Sequence, residues 1–69
     1  MTTYRTWDNE RKEWLPTTDA WALYDGGWRD GDAAEMMEQL EDVDEEEAAE
    51  ICAAMQICSD IIEQEKKED

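Results

Sequence analysis

DEEEAAEICAAMQICSDIIEQE, residues 44–65, decides how the rest of the chain is read. Asp44 with Glu47 three positions later is a helix-start pattern resembling a capping box, and no Pro or Gly interrupts the chain from there to its end. Ala48, Ile51, Cys52, Met55, Cys58 and Ile62 recur at helical spacing and predict an inward stripe on a helix over 45–65. Ala54, Ile57 and Ile61 fall on a flank of that stripe at 100° per residue. This second apolar strip either packs beneath another element or meets a partner. Lys66 and Lys67 suit the negative end of the helix dipole, and residues 66–69 are expected to fray.

Upstream, Ala33, Met36, Met37 and Leu40 make one apolar face of a shorter helix over 32–41, with Asp32 placed to cap it. Thr17, Thr18 and Asp19 offer caps for a further short helix over 19–25, which Gly26 and Gly27 stop. Before these lie two short aromatic runs, Tyr4–Trp7 and Lys12–Leu15, separated by Asp8, Asn9, Glu10 and Arg11. That spacing predicts a β-hairpin over 4–15 with Trp7 opposite Lys12, Arg5 opposite Trp14, and the two Trp as diagonal neighbours on one face. Pro16 ends the second strand because it has no N–H to donate. The expected fold is thus a single small α+β domain over 1–69: an N-terminal two-stranded antiparallel hairpin followed by three helices, the last one longest. The Trp at 7, 14, 21 and 28 suggest a heptad, but Pro16 and Gly26–Gly27 break any continuous helix there.

A chain of 69 residues buries little core, and with Phe absent three of the four Trp are expected inside it. Trp28, in the Gly-rich turn, is the candidate exposed anchor. Cys52 and Cys58, ~9 Å apart along a helix, cannot bridge and are expected to be free thiols. The N-terminus has no apolar signal region and no segment suits a membrane span, so a cytoplasmic setting is expected.

Asp and Glu number 21 against 6 Lys and Arg, a formal charge of -15. The asymmetry is local: residues 30–65 carry 14 acids and no base. Such a surface does not bind nucleic acid directly, nor anionic lipid. With no His and one Ser, the chain lacks the usual catalytic sets, and its acids sit on helical faces rather than in a cleft, so it reads as a non-enzyme without cofactor. Residues 25–35 are oxygen-rich but do not align with a calcium-binding loop, so no dedicated metal site is expected.

Nine of the acids, Glu35, Glu38, Glu41, Asp42, Asp44, Glu45, Glu46, Glu47 and Glu50, fall within sixteen residues. Like charges so crowded oppose compactness. One explanation is a solvated face that serves solubility or salt adaptation. The other is a ridge that imitates phosphates, since a DNA strand carries one charge per ~3.4 Å of axis and acids on helices reach a similar density. The corresponding partner is a basic nucleic-acid-binding protein or complex. A rival reading makes the chain an adaptor that docks through Trp28, Ile57 and Ile61. The charge opposes self-association, so a monomer is favoured over a weak homodimer.

Short length, extreme acidity, the lack of a catalytic set and the helical acidic segment 30–65 together resemble the small inhibitors carried by phages and mobile elements, of the anti-CRISPR and DNA-mimic kind. The resemblance implies a target: a nucleic-acid-dependent defence or host complex, such as a CRISPR effector, blocked sterically in its nucleic-acid channel. No family motif accompanies it, and no residue role is carried over.

Overall fold

Asp8 turns the chain back on itself. Its Oδ1 accepts hydrogen bonds from the Glu10 N–H (2.9 Å) and the Arg11 N–H (3.4 Å), the local bonding that Asp favours in turns. In the computed structural model, which describes residues 3–67, this turn joins β1 (Arg5–Asp8) to β2 (Glu13–Pro16) as an antiparallel pair. The helices α1 (Thr18–Asp25), α2 (Ala33–Gln39) and α3 (Glu45–Lys67) come after it, giving the α+β order that the periodicity predicts.

The hairpin register differs from the expected one. Trp7 pairs with Trp14, not Lys12, and Arg5 pairs with Pro16, not Trp14. Asp8 serves as the last strand residue as well as the turn acceptor, so the four-residue loop begins one position later, at Asn9. That moves the pairing by two residues, which leaves side chains on their predicted faces. Trp7 and Trp14 are therefore directly opposite rather than diagonal, edge to face with ring centroids 5.5 Å apart and planes at 73°.

Thr17 stands at the start of α1, but its hydroxyl donates to the Thr3 carbonyl (2.6 Å) instead of capping the helix. It ties the N-terminal segment to α1, helped by the Thr17 N–H donating to the Tyr4 carbonyl. At the other end, the Gly27 N–H donates to the Tyr24 carbonyl and the Trp28 N–H to the Leu23 carbonyl, a Schellman stop. Gly27 takes φ 102°, a conformation that favours glycine.

Asp32 precedes α2, but its carboxylate accepts from the Arg29 N–H (2.9 Å) rather than capping that helix. Leu40 turns extended (φ -90°, ψ 133°), so α2 is shorter than the expected 32–41. Asp44 does cap α3, its Oδ1 accepting from the Glu47 N–H at 2.9 Å. The helix continues through Lys67, two residues past the expected end; residues 68 and 69 of the expected tail lie outside the described residues. At ~1.5 Å per residue α3 spans ~34 Å, close to the molecule's longest dimension of 37 Å. It is the spine on which α1, α2 and β2 pack.

Ala20, Met36, Ala48, Ile51, Ala54, Met55 and Cys58 form the fully buried core. Ala54, placed by spacing on the flank, belongs to it because α1 and α2 both lie on α3 and widen its covered face. Met37, expected inside, is exposed, since α2 turns only a narrow face to α3. The expectation of three buried Trp also fails. Trp21 and Trp28 pack against the core, whereas Trp7 and Trp14 are 46% and 45% exposed. The two rings pack edge to face against each other at the protein surface instead of entering the core. Among the described residues no helix is long and apolar enough to cross a membrane.

Candidate partner-binding surface

Eight of the nine clustered acids are exposed and the ninth, Glu47, is half-buried. Glu35 and Glu38 lie on α2, Glu41 and Asp42 in the turn, and Asp44 through Glu50 on the first turns of α3. Asp42 takes φ 62°, a left-handed turn conformation that Asp tolerates and that brings the chain round between the helices. Two of the nine have side-chain partners: Asp44 caps α3, and Glu50 pairs with Arg5. Among the described residues the other seven carboxylates form no ion pair.

The basic residues explain why. Arg11 approaches Asp8 at 3.9 Å, on the hairpin. Arg29 is spent on its own turn: it donates to the carbonyls of Tyr24 and Trp28 at 2.8 and 2.7 Å and lies 3.7 Å over the Tyr24 ring. Lys66 and Lys67 stand at the far end of α3. These cations therefore leave most of the ridge without counter-charge.

Arg5 is the one described cation held at the edge of this ridge. Its Nη2 lies 3.2 Å from Glu50 Oε1 and its Nε donates to Oε2 at 3.3 Å, while its guanidinium carbon sits 4.7 Å from the centre of the Trp14 ring. One side chain thus joins the end of the acidic ridge to the exposed Trp pair. Nothing in the sequence marks Arg5 or the Trp pair as a binding feature; an ion pair between residues 45 apart leaves no local signal.

Beyond Trp14 the surface dips into a half-open groove of about 360 Å³ between β2 and α3. Trp14 and Leu15 form one wall, and Ala53, Ile57 and Ile61 form the floor. The second apolar strip of α3 is thereby placed: Ala54 turns into the core, while Ile57 and Ile61, both half-buried, face the hairpin. Glu46, Glu50, Ala53 and Ile57 succeed one another at three- and four-residue steps, so ridge and groove run along one side of α3. Trp28 is elsewhere. It is half-buried against the core at the α1 stop, and the structure brings it to neither ridge nor groove.

Cys52 and Cys58 are free thiols, as their spacing predicts. Burial pushes both upward in pKa. The carboxylates of Asp30 and Asp32 add to that at Cys52; at Cys58 Arg29 opposes it and Asp25 reinforces it. Among the described residues no three acids or thiols converge as metal ligands. Compared with protein-family models, with curated proteins and with solved structures, the chain matches none of them.

Proposed function

We propose that this chain is a non-enzymatic inhibitor that binds a basic nucleic-acid-binding protein or complex through the acidic ridge at the α2–α3 junction. The observation that carries the reading is the set of seven carboxylates without an ion pair there, with Arg5 the one described cation paired to the ridge, and Arg11 and Arg29 engaged elsewhere. A surface that serves solubility alone gains nothing from concentrating like charges, since repulsion destabilises the compact state. A surface that docks in a groove built for phosphates recovers that energy on binding, because Lys and Arg replace the missing counter-charges. The compositional resemblance to anti-CRISPR and DNA-mimic inhibitors points the same way. The adaptor reading keeps Ile57 and Ile61 in its favour, because they border an open groove, but Trp28 is no exposed anchor for it.

Capture on the immobilised chain from a host lysate tests this. A basic nucleic-acid-binding protein should be recovered at 50 mM NaCl and lost near 500 mM, where the screening length falls to ~4 Å. Reversing Glu45, Glu46 and Glu47 together to Lys should abolish recovery and the block on nucleic-acid binding; single Glu→Ala changes there should have little effect, each exposed pair being worth ~1 kcal/mol or less. A triple reversal that still competes fully with nucleic acid refutes the proposal.

A further inference from the structure

The groove between β2 and α3 is the one feature of this surface that charge alone leaves unexplained. From Ala53 to Gln64 its helix side spans eleven helical rises, ~16 Å, the reach of about five residues of extended chain. Its volume of about 360 Å³ is in the range of built ligand sites, roughly 300–1,000 Å³. Ala53, Ile57 and Ile61 give the helix side an aliphatic strip flanked by Gln56 and Gln64, and the exposed Trp14, packed edge to face with Trp7, lines the hairpin side. Each side of the groove carries an exposed carboxylate, Glu13 on the hairpin and Asp60 on the helix. The only cation among the described lining residues, Arg5, is already held by Glu50 and stacked on Trp14. The groove therefore has an aliphatic strip along its helix side and one carboxylate on each side, and it continues the line of the ridge along α3.

We propose that this groove is the apolar anchor of the same interface, and that it takes a pair of aliphatic side chains from a lysine- or arginine-rich segment of the partner protein. The inference rests on the ridge as the docking surface and says what fixes the partner there. Cations flanking the aliphatic pair meet Glu13 and Asp60, and the aliphatic groups exclude water between Trp14 and Ile57. A neutral apolar ligand would leave both rim carboxylates without counter-charge. A second copy of this chain would bring another -15 to a rim already negative. Interfaces are commonly organised this way, with a small desolvated anchor inside a polar rim that steers and orients.

Two capped hexapeptides of equal charge make the test: lysine-lysine-leucine-leucine-lysine-lysine, and the same peptide with both leucines replaced by serine. Each is titrated into the isotope-labelled chain at 150 mM NaCl and followed by amide and indole chemical shifts. The leucine peptide is expected to bind at least about tenfold more tightly, from burial of two apolar side chains, and to shift Leu15, Ala53, Ile57, Ile61 and the Trp14 indole N–H. The Ile57→Ser, Ile61→Ser double variant should lose that preference while keeping its affinity for the serine peptide. If the variant fails to fold, as circular dichroism will show, the shift map of the unaltered chain decides alone. Equal binding of the two peptides, with shifts confined to residues 35–50, overturns the groove inference and leaves the ridge reading standing. A preference for the leucine peptide that survives reversal of Glu45, Glu46 and Glu47 with no loss of affinity supports the groove and overturns the ridge. Absence of binding by either peptide at 50 mM NaCl overturns both, and a groove filled by dimerisation overturns the proposed occupant.

Discussion

Replacing Arg5 with Gln keeps most of the methylene stem and removes the guanidinium, which isolates what that group holds together. Two contacts are lost: the fork on Glu50, at 3.2 and 3.3 Å, and the stack on Trp14, at 4.7 Å. The side chains of the ion pair are 30% and 52% exposed, so solvent screens it and it contributes ~0.5–1 kcal/mol. Stacking of Arg on Trp at an exposed site adds ~0.5–1 kcal/mol. The net charge also moves from -15 to -16 by loss of one cation, a further small repulsion. The sum, ~1–2 kcal/mol, lowers the melting temperature by ~4–16 °C in a domain of this size. Glu50→Gln gives the contrast: it loses the ion pair, keeps the stack and relaxes the net charge to -14, so its melting temperature should stay within a few degrees of the unaltered chain. In 0.5 M NaCl the Arg5→Gln deficit should fall to about half, because the ion pair is screened and the ring contact is not. Thermal melts of the three chains at two salt concentrations measure all of this. If Arg5→Gln melts with the parent at low salt, or if Glu50→Gln loses as much as Arg5→Gln, the linking role of Arg5 is wrong.

Lys12 closes the hairpin loop at φ 57°, a conformation disfavoured for side chains by ~1–2 kcal/mol, against an entropic penalty of ~0.5–1 kcal/mol for Gly. Lys12→Gly should therefore raise the urea midpoint, even though it removes a cation; a lower midpoint rejects the account. The thiols give a pH prediction. Both folded thiols hold their protons above the ordinary 9.0, so the stability they contribute is present below pH 9 and is lost as pH rises through their folded values. Urea unfolding at pH 8 and pH 10 should show a drop that is smaller in Cys58→Ala than in the parent; an equal drop assigns the loss to other groups. In the same buffers Cys52, half-buried, should react with a thiol reagent sooner than the fully buried Cys58.

The longest helix was legible because its signals are local and agree: Asp44 and Glu47 mark its start, and the stripe from Ala48 to Cys58 keeps one period. What failed depended on geometry between elements. Asp8 can begin a turn or end a strand, and composition does not choose; the hydrogen bonds to Glu10 and Arg11 do. Ala54 looked peripheral on a helix with one covered side, but this helix is covered on several. Trp7 and Trp14 read as core because the chain lacks Phe, yet each stays nearly half exposed, packed on the other ring rather than inside the core. For the candidate surface, the position of every ridge acid was legible. The Arg5 link from Glu50 to Trp14, which makes ridge and groove one surface, was not.

The ridge acids do not all have the same effect on the fold, and that difference makes the functional reading testable against its simplest confound. Glu45, Glu46 and Glu47 occupy the first turn of α3, where the positive end of the helix dipole favours them by ~0.3–1 kcal/mol each. Reversing them to Lys removes that and replaces it with an unfavourable term, so the variant loses helix stability even as it relieves repulsion. Lost binding alone could then be lost folding. Glu38 lies in the last turn of α2 and Glu41 just beyond it, at the negative end of a dipole, where acids are disfavoured. Glu38→Lys with Glu41→Lys should raise the melting temperature and still weaken partner binding, because each reversal shifts the ridge toward positive charge. If binding follows charge, both variants bind weakly while their melting temperatures move in opposite directions. If binding follows fold stability, the Glu38→Lys, Glu41→Lys chain binds at least as well as the parent, and the phosphate-imitating ridge must be abandoned. Capture from lysate at 50 mM NaCl, run beside a thermal melt of each variant, separates the two outcomes.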